Sequence, residues 1–138
     1  MKSYRLSPNE FMLVLRDEDI LASLKKFAVE KKVASGRFTG IGAVSSAKIA
    51  FYNFFTKEYQ SKNLGEPMEI ISLIGNFAMM GSEHVVHCHI GLGRENMSMT
   101  GGHVMEGCIA RVCEIHVVKT VPKITRNRDG KTGLNLIK

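Results

Sequence analysis

The alternation of hydrophobic and polar positions predicts a chain made mostly of β-strands with one amphipathic helix. Residues 11–16 form a short apolar run bounded by Pro8-Asn9 and by acidic residues, as is typical of a buried strand. After Asp17-Glu18-Asp19, which suits a helix start, the period becomes helical up to about Lys32. The buried face of this predicted helix carries Ile20, Leu21, Leu24, Phe27 and Ala28.

The rest of the chain has the pattern of strands. Residues 37–52 predict a strand bent at Gly40 and Gly42. The alternative for this G-x-G is a nucleotide-binding fingerprint, but the third glycine is missing and no amphipathic helix follows. A brief edge segment at 57–60 is followed by an apolar strand at 68–77 and a histidine-containing strand at 84–91. Residues 108–118 predict the last long strand, and residues 126–134 look like a turn that returns to the body.

One helix and about six or seven strands joined by hairpin-length connections predict an α+β domain dominated by an antiparallel sheet. We expect residues 1–138 to form a single domain, since length and a hydrophobic content of 44% match one globular core. One helix cannot cover so much sheet, so apolar strand surface is left over. Self-association through the sheet is therefore expected.

Composition bounds the cellular setting. No segment approaches the roughly 20 apolar residues of a membrane span, so we expect a soluble, cytoplasmic protein with no membrane partner. Cys88, Cys108 and Cys113 make an odd count without C-x-x-C spacing. They are predicted to be reduced thiols and to form neither disulfides nor a cysteine metal site.

The formal net charge of +6 belongs almost entirely to the end of the chain. Residues 119–138 hold six basic residues and one acidic residue, whereas residues 1–118 are close to neutral. A solvated tail explains this excess, and non-specific phosphate binding is the functional alternative. The candidate nucleic-acid contacts are Lys123, Arg126, Arg128 and Lys131.

Four of the five histidines lie within residues 84–103. Strand alternation directs His87 and His89 to one face, and His84 and Cys88 to the other. Residues 93–98 suit a hairpin turn, so pairing of His89 with His103 would bring three imidazoles together beside Gly101-Gly102. Three imidazoles with an open position describe a divalent-metal site, with zinc as the expected ion.

Two carboxylates are candidates for a base beside such a metal. Glu114 shares a strand face with His116, and Glu69 begins the apolar strand at 68–77. An acid near a metal-bound water is the usual partner in hydrolysis. The structural explanation is favoured for each: a salt bridge or hydrogen bond within the sheet for Glu114, and a solvated strand end for Glu69.

The order of these motifs resembles the PPC domain, the "plants and prokaryotes conserved" family. The resemblance covers nearly the whole chain and rests on Leu15-Arg16, residues 40–44, residues 69–75, His87-x-His89, Gly101-Gly102-His103, Glu114-Ile115 and Arg126-x-x-Asp129-x-x-Thr132-Gly133. It implies a compact α+β fold with a major antiparallel sheet, assembled as a homotrimer. Some stand-alone prokaryotic members are similar in binding a divalent metal through histidines that match His87, His89 and His103.

The resemblance leaves three functions open. Plant members bind A·T-rich DNA through AT-hooks, whose Arg-Gly-Arg-Pro core this chain lacks; its nearest approach is Ser35-Gly36-Arg37-Phe38. The first hypothesis is a trimeric, metal-binding, DNA-associated regulatory protein. The alternatives are a metal-dependent enzyme acting on a small substrate and an assembly scaffold without catalysis.

Overall fold

The computed structural model of the protein describes residues 1–138. It contains one helix and eleven strands. In chain order they are β1 (Lys2–Arg5), β2 (Glu10–Leu15), β3 (Glu18–Asp19), α1 (Ile20–Glu30), β4 (Gly36–Asn53), β5 (Glu58–Leu64), β6 (Met68–Met80), β7 (Glu83–Gly93), β8 (Met99–Val104), β9 (Ile109–Lys119), β10 (Arg126–Arg128) and β11 (Asn135–Ile137).

One large antiparallel sheet organises the fold. Its main path runs β1-β2-β9-β4-β6-β7-β8, and β3 and β5 add to β9 and β4. The far end of β4 also pairs with β8, through Ile49 with Val104 and Ala50 with His103. Strands β4, β6, β7 and β8 therefore close into a ring, which holds β8 between two partners.

The long strand β4 can serve both parts of the sheet because it bends. Its register with β6 shifts between Gly40 and Gly42, as expected for a bulge. Gly42 has a φ of 149°, and a Cβ there would lie 2.2 Å from the Val112 carbonyl oxygen. A side chain is therefore excluded at this position, and the predicted bent strand is confirmed.

Helix α1 covers the inner face of the sheet. Asp19 caps it by accepting a hydrogen bond from the Ala22 backbone nitrogen at 2.8 Å. Phe27, on the buried face of α1, packs edge-on against Phe11 with ring centroids 5.3 Å apart. Phe27, Leu24 and Ile20 have no exposed surface, and full burial of each such side chain contributes about 2 kcal/mol.

The predicted class, a mainly antiparallel α+β domain with one principal helix, is confirmed. The helix lacks the length and apolar character required to cross a membrane. The sequence pattern did not reveal the two-residue strand β3, the exposed strand β1 or the β10–β11 hairpin. These segments are too short or too polar to show a period of two.

The segment 119–138 differs from a freely solvated tail. Ser35 Oγ donates to the carbonyl oxygens of Thr120 and Pro122 at 2.9 and 2.8 Å. The Met79 backbone nitrogen donates to the Ile124 carbonyl oxygen at 2.9 Å. The chain continues into the β10–β11 hairpin, where Arg126 donates to Asn76 Oδ1 on β6 and the Thr132 carbonyl oxygen accepts from the Tyr52 hydroxyl, so the expected return of residues 126–134 to the body is present.

Candidate metal centre

Hairpin register brings three histidines together on β7 and β8. His89 pairs directly with His103, as predicted, and His87 lies two residues earlier on the same face of β7. On the opposite face Cys88 is buried in the core, and His84 Nδ1 contacts the Val33 carbonyl oxygen at 3.0 Å. Strand parity therefore separates the three clustered histidines from His84 and Cys88.

The geometry of the cluster suits a metal ion. One ring nitrogen from each of His87, His89 and His103 lies within 4.8 Å of the others. The ring centroids are 5.3, 5.1 and 5.4 Å apart. Zinc–nitrogen bonds of about 2.0–2.1 Å in a tetrahedral site place ligand nitrogens about 3.3 Å apart, so small side-chain rotations are sufficient.

The double glycine places His103 correctly. A Cβ at Gly102 would lie 2.7 Å from the Ala50 carbonyl oxygen, and one at Gly101 would lie 2.4 Å from that of Ile90. Only residues without a side chain let β8 lie this close to both β4 and β7. The two glycines therefore permit the close backbone approach that holds His103 against β7.

Burial keeps two of the imidazoles neutral, which is the form that binds metal. Desolvation, aided by the neighbouring His87 and His89, lowers the pKa of His103 from 6.5 to about 4. Desolvation followed by the charge of Arg126 also lowers the pKa of His87. His103 Nδ1 is buried without a hydrogen-bond partner, so this polar atom gains from a ligand.

Arg126 supports the cluster from the C-terminal hairpin. It is only 6% exposed, and its guanidinium donates to the Asn135 carbonyl oxygen at 2.7 Å and to Asn76 Oδ1 at 2.8 Å. The same guanidinium lies 3.3 Å from His87 Nδ1. Because arginine only donates, this contact leaves the ring proton of His87 on Nε2. Metal binding therefore requires the tautomer to switch or this contact to open.

Arg126, one of the four candidate nucleic-acid contacts, is buried. The other three candidates, Lys123, Arg128 and Lys131, are exposed. Sequence reasoning also missed Tyr59, whose ring lies 4.8 Å from that of His103 at an angle of 33°. No local pattern marks either residue as a neighbour of the histidines, because both contacts join segments distant in sequence.

The structure does not bring Glu69 or Glu114 to the histidines. Strands β4 and β6 separate Glu114 on β9 from β7, a distance of about 14 Å for three strand spacings. Glu69 pairs with Gly93, four residues beyond His89, which is roughly 13 Å along the strand. Both carboxylates instead border a groove with Ile41 and Ile71 on the outer face of the sheet.

Fold and cluster together define an α+β protein with a three-histidine candidate metal centre on one hairpin. The chain belongs to the Plants and Prokaryotes Conserved (PCC) domain family, whose sequence profile matches residues 3–121. The resemblance seen in the sequence is thereby confirmed. None of the curated protein sequences is significantly similar to this chain.

Several solved structures share the fold over their whole length. A metal-containing protein from Archaeoglobus fulgidus has 34% identity and a TM-score of 0.88, with 100% of this chain and 99% of that one covered. A provisionally named DNA-binding protein from Bacteroides thetaiotaomicron has 30% identity and a TM-score of 0.93, covering 99% and 96%. A plant- and prokaryote-conserved protein from Pyrococcus horikoshii has 30% identity and a TM-score of 0.87, covering 99% and 93%.

The lowered pKa of His103 predicts a pH dependence of stability in chelator-treated protein. Between the ordinary pKa of 6.5 and about 4, the unfolded chain binds a proton that the folded chain excludes. Stability is therefore full above pH 6.5 and falls as the pH decreases through this window. Urea unfolding measures the free energy of unfolding at pH 7 and at pH 5. The decrease between the two pH values should be smaller for His103→Asn than for wild type. The control His116→Asn, outside the cluster, should lose as much as wild type, and equal losses in all three proteins would contradict the prediction.

Proposed function

We propose that this chain is a homotrimeric PCC-domain protein that binds one divalent metal ion, zinc, through His87, His89 and His103. The convergence of three imidazoles on one hairpin face, two of them kept neutral by burial, carries the proposal. The metal-containing relative from Archaeoglobus fulgidus supports it. Nitrogen donors in a three-ligand set with an open position are typical of zinc among the common divalent ions.

A binding role fits this centre better than hydrolysis. A metal-dependent hydrolase needs a base within hydrogen-bond reach of the metal-bound water or of the substrate. The two candidate carboxylates, Glu69 and Glu114, lie more than ten ångströms away on the scale of strand spacings, roughly 13 and 14 Å. The metal would instead join β7 to β8 and present its open position to a ligand.

Replacing one ligand tests the metal site. Chelator-treated protein, incubated with zinc and desalted, should retain about one zinc ion per chain, since each chain supplies three ligands. His89→Ala should retain little, because two imidazoles leave the ion exchangeable with solvent. Elemental analysis measures the zinc content of the wild type and of the variant. Zinc should also raise the unfolding temperature of wild type but not of the variant.

His116→Ala is the matched control, since His116 lies on β9 outside the cluster. It should bind zinc as wild type does. Wild-type protein that retains no zinc, cobalt or nickel after the same treatment would remove the metal proposal.

A DNA-associated regulatory role is the second part of the proposal. The relative from Bacteroides thetaiotaomicron carries a provisional DNA-binding name. In this chain Lys123, Arg128 and Lys131 are exposed on the C-terminal segment, where they can contact phosphates without reading bases. Three buried, reduced thiols fit a cytoplasmic location for this role.

Neutralising these three residues tests phosphate binding. The triple variant Lys123→Gln, Arg128→Gln, Lys131→Gln should bind duplex DNA more weakly than wild type in fluorescence anisotropy. The slope of the logarithm of the binding constant against the logarithm of the salt concentration should become smaller in magnitude by roughly one unit for each phosphate contact removed. The charge-matched triple variant Lys2→Gln, Lys25→Gln, Lys62→Gln should behave as wild type. Absence of binding by the intact protein at low salt would exclude this role.

The outer face of the sheet supports the homotrimer. Ile41, Ile71 and Ile74 are 61%, 52% and 59% exposed and border one groove. Clustered exposed aliphatic side chains mark an interaction surface, and a second and third copy of the chain would cover this one. Ile74 pairs with His89, so such an assembly would bring a neighbouring chain close to the metal site.

A charge placed in this groove tests the assembly. Ile71→Glu should shift the mass in light scattering from three chains toward the 15.3 kDa of one chain, because an unpaired carboxylate is costly to bury. Val29→Glu, on the exposed side of α1, is the control and should leave the mass unchanged. A wild-type mass equal to one chain would refute the trimer.

A further inference from the structure

A cavity of about 310 Å³ opens beside the histidine cluster. His87 and His103 form one wall of it, and strands β4, β5, β10 and β11 supply the remaining walls. Ligand sites begin at about 300 Å³, so this volume suits a molecule with a single ring. The cavity is distinct from the outer groove, because Ile41, Ile71 and Glu114 do not line it.

The charge of the cavity wall is positive. Lys57, Arg126 and Arg128 line it, and it contains no carboxylate. Neighbouring Asp129 does not line the cavity, and its carboxylate accepts hydrogen bonds from the Thr132 backbone nitrogen and hydroxyl, both at 2.7 Å. A concave site lined by one sign of charge attracts ligands of the opposite sign.

Two residues that line the cavity each have a buried polar atom without a hydrogen-bond partner. These atoms are Nε of Arg126, on a side chain that is only 6% exposed, and Nδ1 of His103. A buried donor without an acceptor costs stability, and natural folds rarely retain one without a reason. An anionic oxygen from a ligand would satisfy the arginine with a charge-assisted bond.

The rest of the wall is aromatic and aliphatic. The Tyr52 and Tyr59 rings lie 4.8 Å apart, and Tyr59 in turn packs on His103. The aliphatic part of the wall consists of Val85, Val86, Leu134 and Leu136. A flat ring can contact these surfaces while its charged group faces the cations.

We propose that this cavity binds a small aromatic acid, with its carboxylate held by Arg126, Arg128 and Lys57 and its ring packed against Tyr52 and Tyr59. The inference deepens the proposed metal-binding function and rests on it in one respect, which is that the carboxylate lies toward the open position of the metal. The cations and rings recognise the ligand whether or not metal is bound.

Benzoate is the probe, with benzyl alcohol as its neutral analogue and acetate as an anion without a ring. Calorimetric titration of zinc-loaded and chelator-treated protein should show that benzoate binds more tightly than either analogue in both forms. Arg128→Gln and Lys57→Gln should each weaken benzoate binding about tenfold, the loss expected for one charge-assisted contact. Arg126 is left intact because it also ties the hairpin to Asn76.

Lys62→Gln is the matched control. Lys62 lies on β5 three residues from Tyr59, on the other face of the strand, and it does not line the cavity. Its replacement therefore removes the same charge at a position outside the cavity. Benzoate that fails to bind either form at about 10 mM, or that binds no better than benzyl alcohol, would overturn the proposal. Equal weakening by Lys62→Gln would do the same.

The two proposals can fail separately. Elemental analysis reports the metal independently of benzoate. Benzoate binding without retained zinc would refute the metal site and leave the cavity assignment standing. Retained zinc without benzoate binding would refute the cavity assignment alone.

Discussion

The antiparallel register of β7 against β8 is the constraint on which the candidate site depends. It places His89 opposite His103, and strand alternation adds His87 to the same face. A slip of one residue would send His103 to the core and bring Gly102 or Val104 into its place. The second pairing of β8, with Ala50 on β4, closes the ring of strands and removes the freedom for such a slip.

The C-terminal hairpin adds a second layer to this arrangement. Arg126 reaches from β10 to Asn76 on β6 and to His87 on β7, so the end of the chain is tied to the histidine cluster. Water is partly excluded from this corner, and this desolvation lowers the pKa of that guanidinium and of His103 because it disfavours their charged forms. The same exclusion strengthens any interaction between the cavity wall and an anion.

The outer groove of the sheet and the cavity beside the histidines are lined by different kinds of side chain. The outer face of the sheet carries exposed isoleucines with Glu69 and Glu114, whereas the cavity beside the histidines carries cations and tyrosines. Ile74 joins the two regions, because it borders the outer groove and pairs with His89. Assembly, metal and ligand are therefore neighbours in the proposed function, although different side chains serve each of them.

The sequence by itself determined the class of fold, the helix, the long strands and the choice of histidines. Period and turn chemistry are local properties, so the face shared by His87 and His89 can be read from spacing, and the turn at 93–98 identifies His103 as their partner. Only the tertiary structure decided that Arg126 lies inside the fold beside His87, that Tyr59 packs on His103, and that Glu114 lies three strands away. These relations join segments tens of residues apart. They depend on strand order and on the packing of the C-terminal hairpin, which no local pattern encodes.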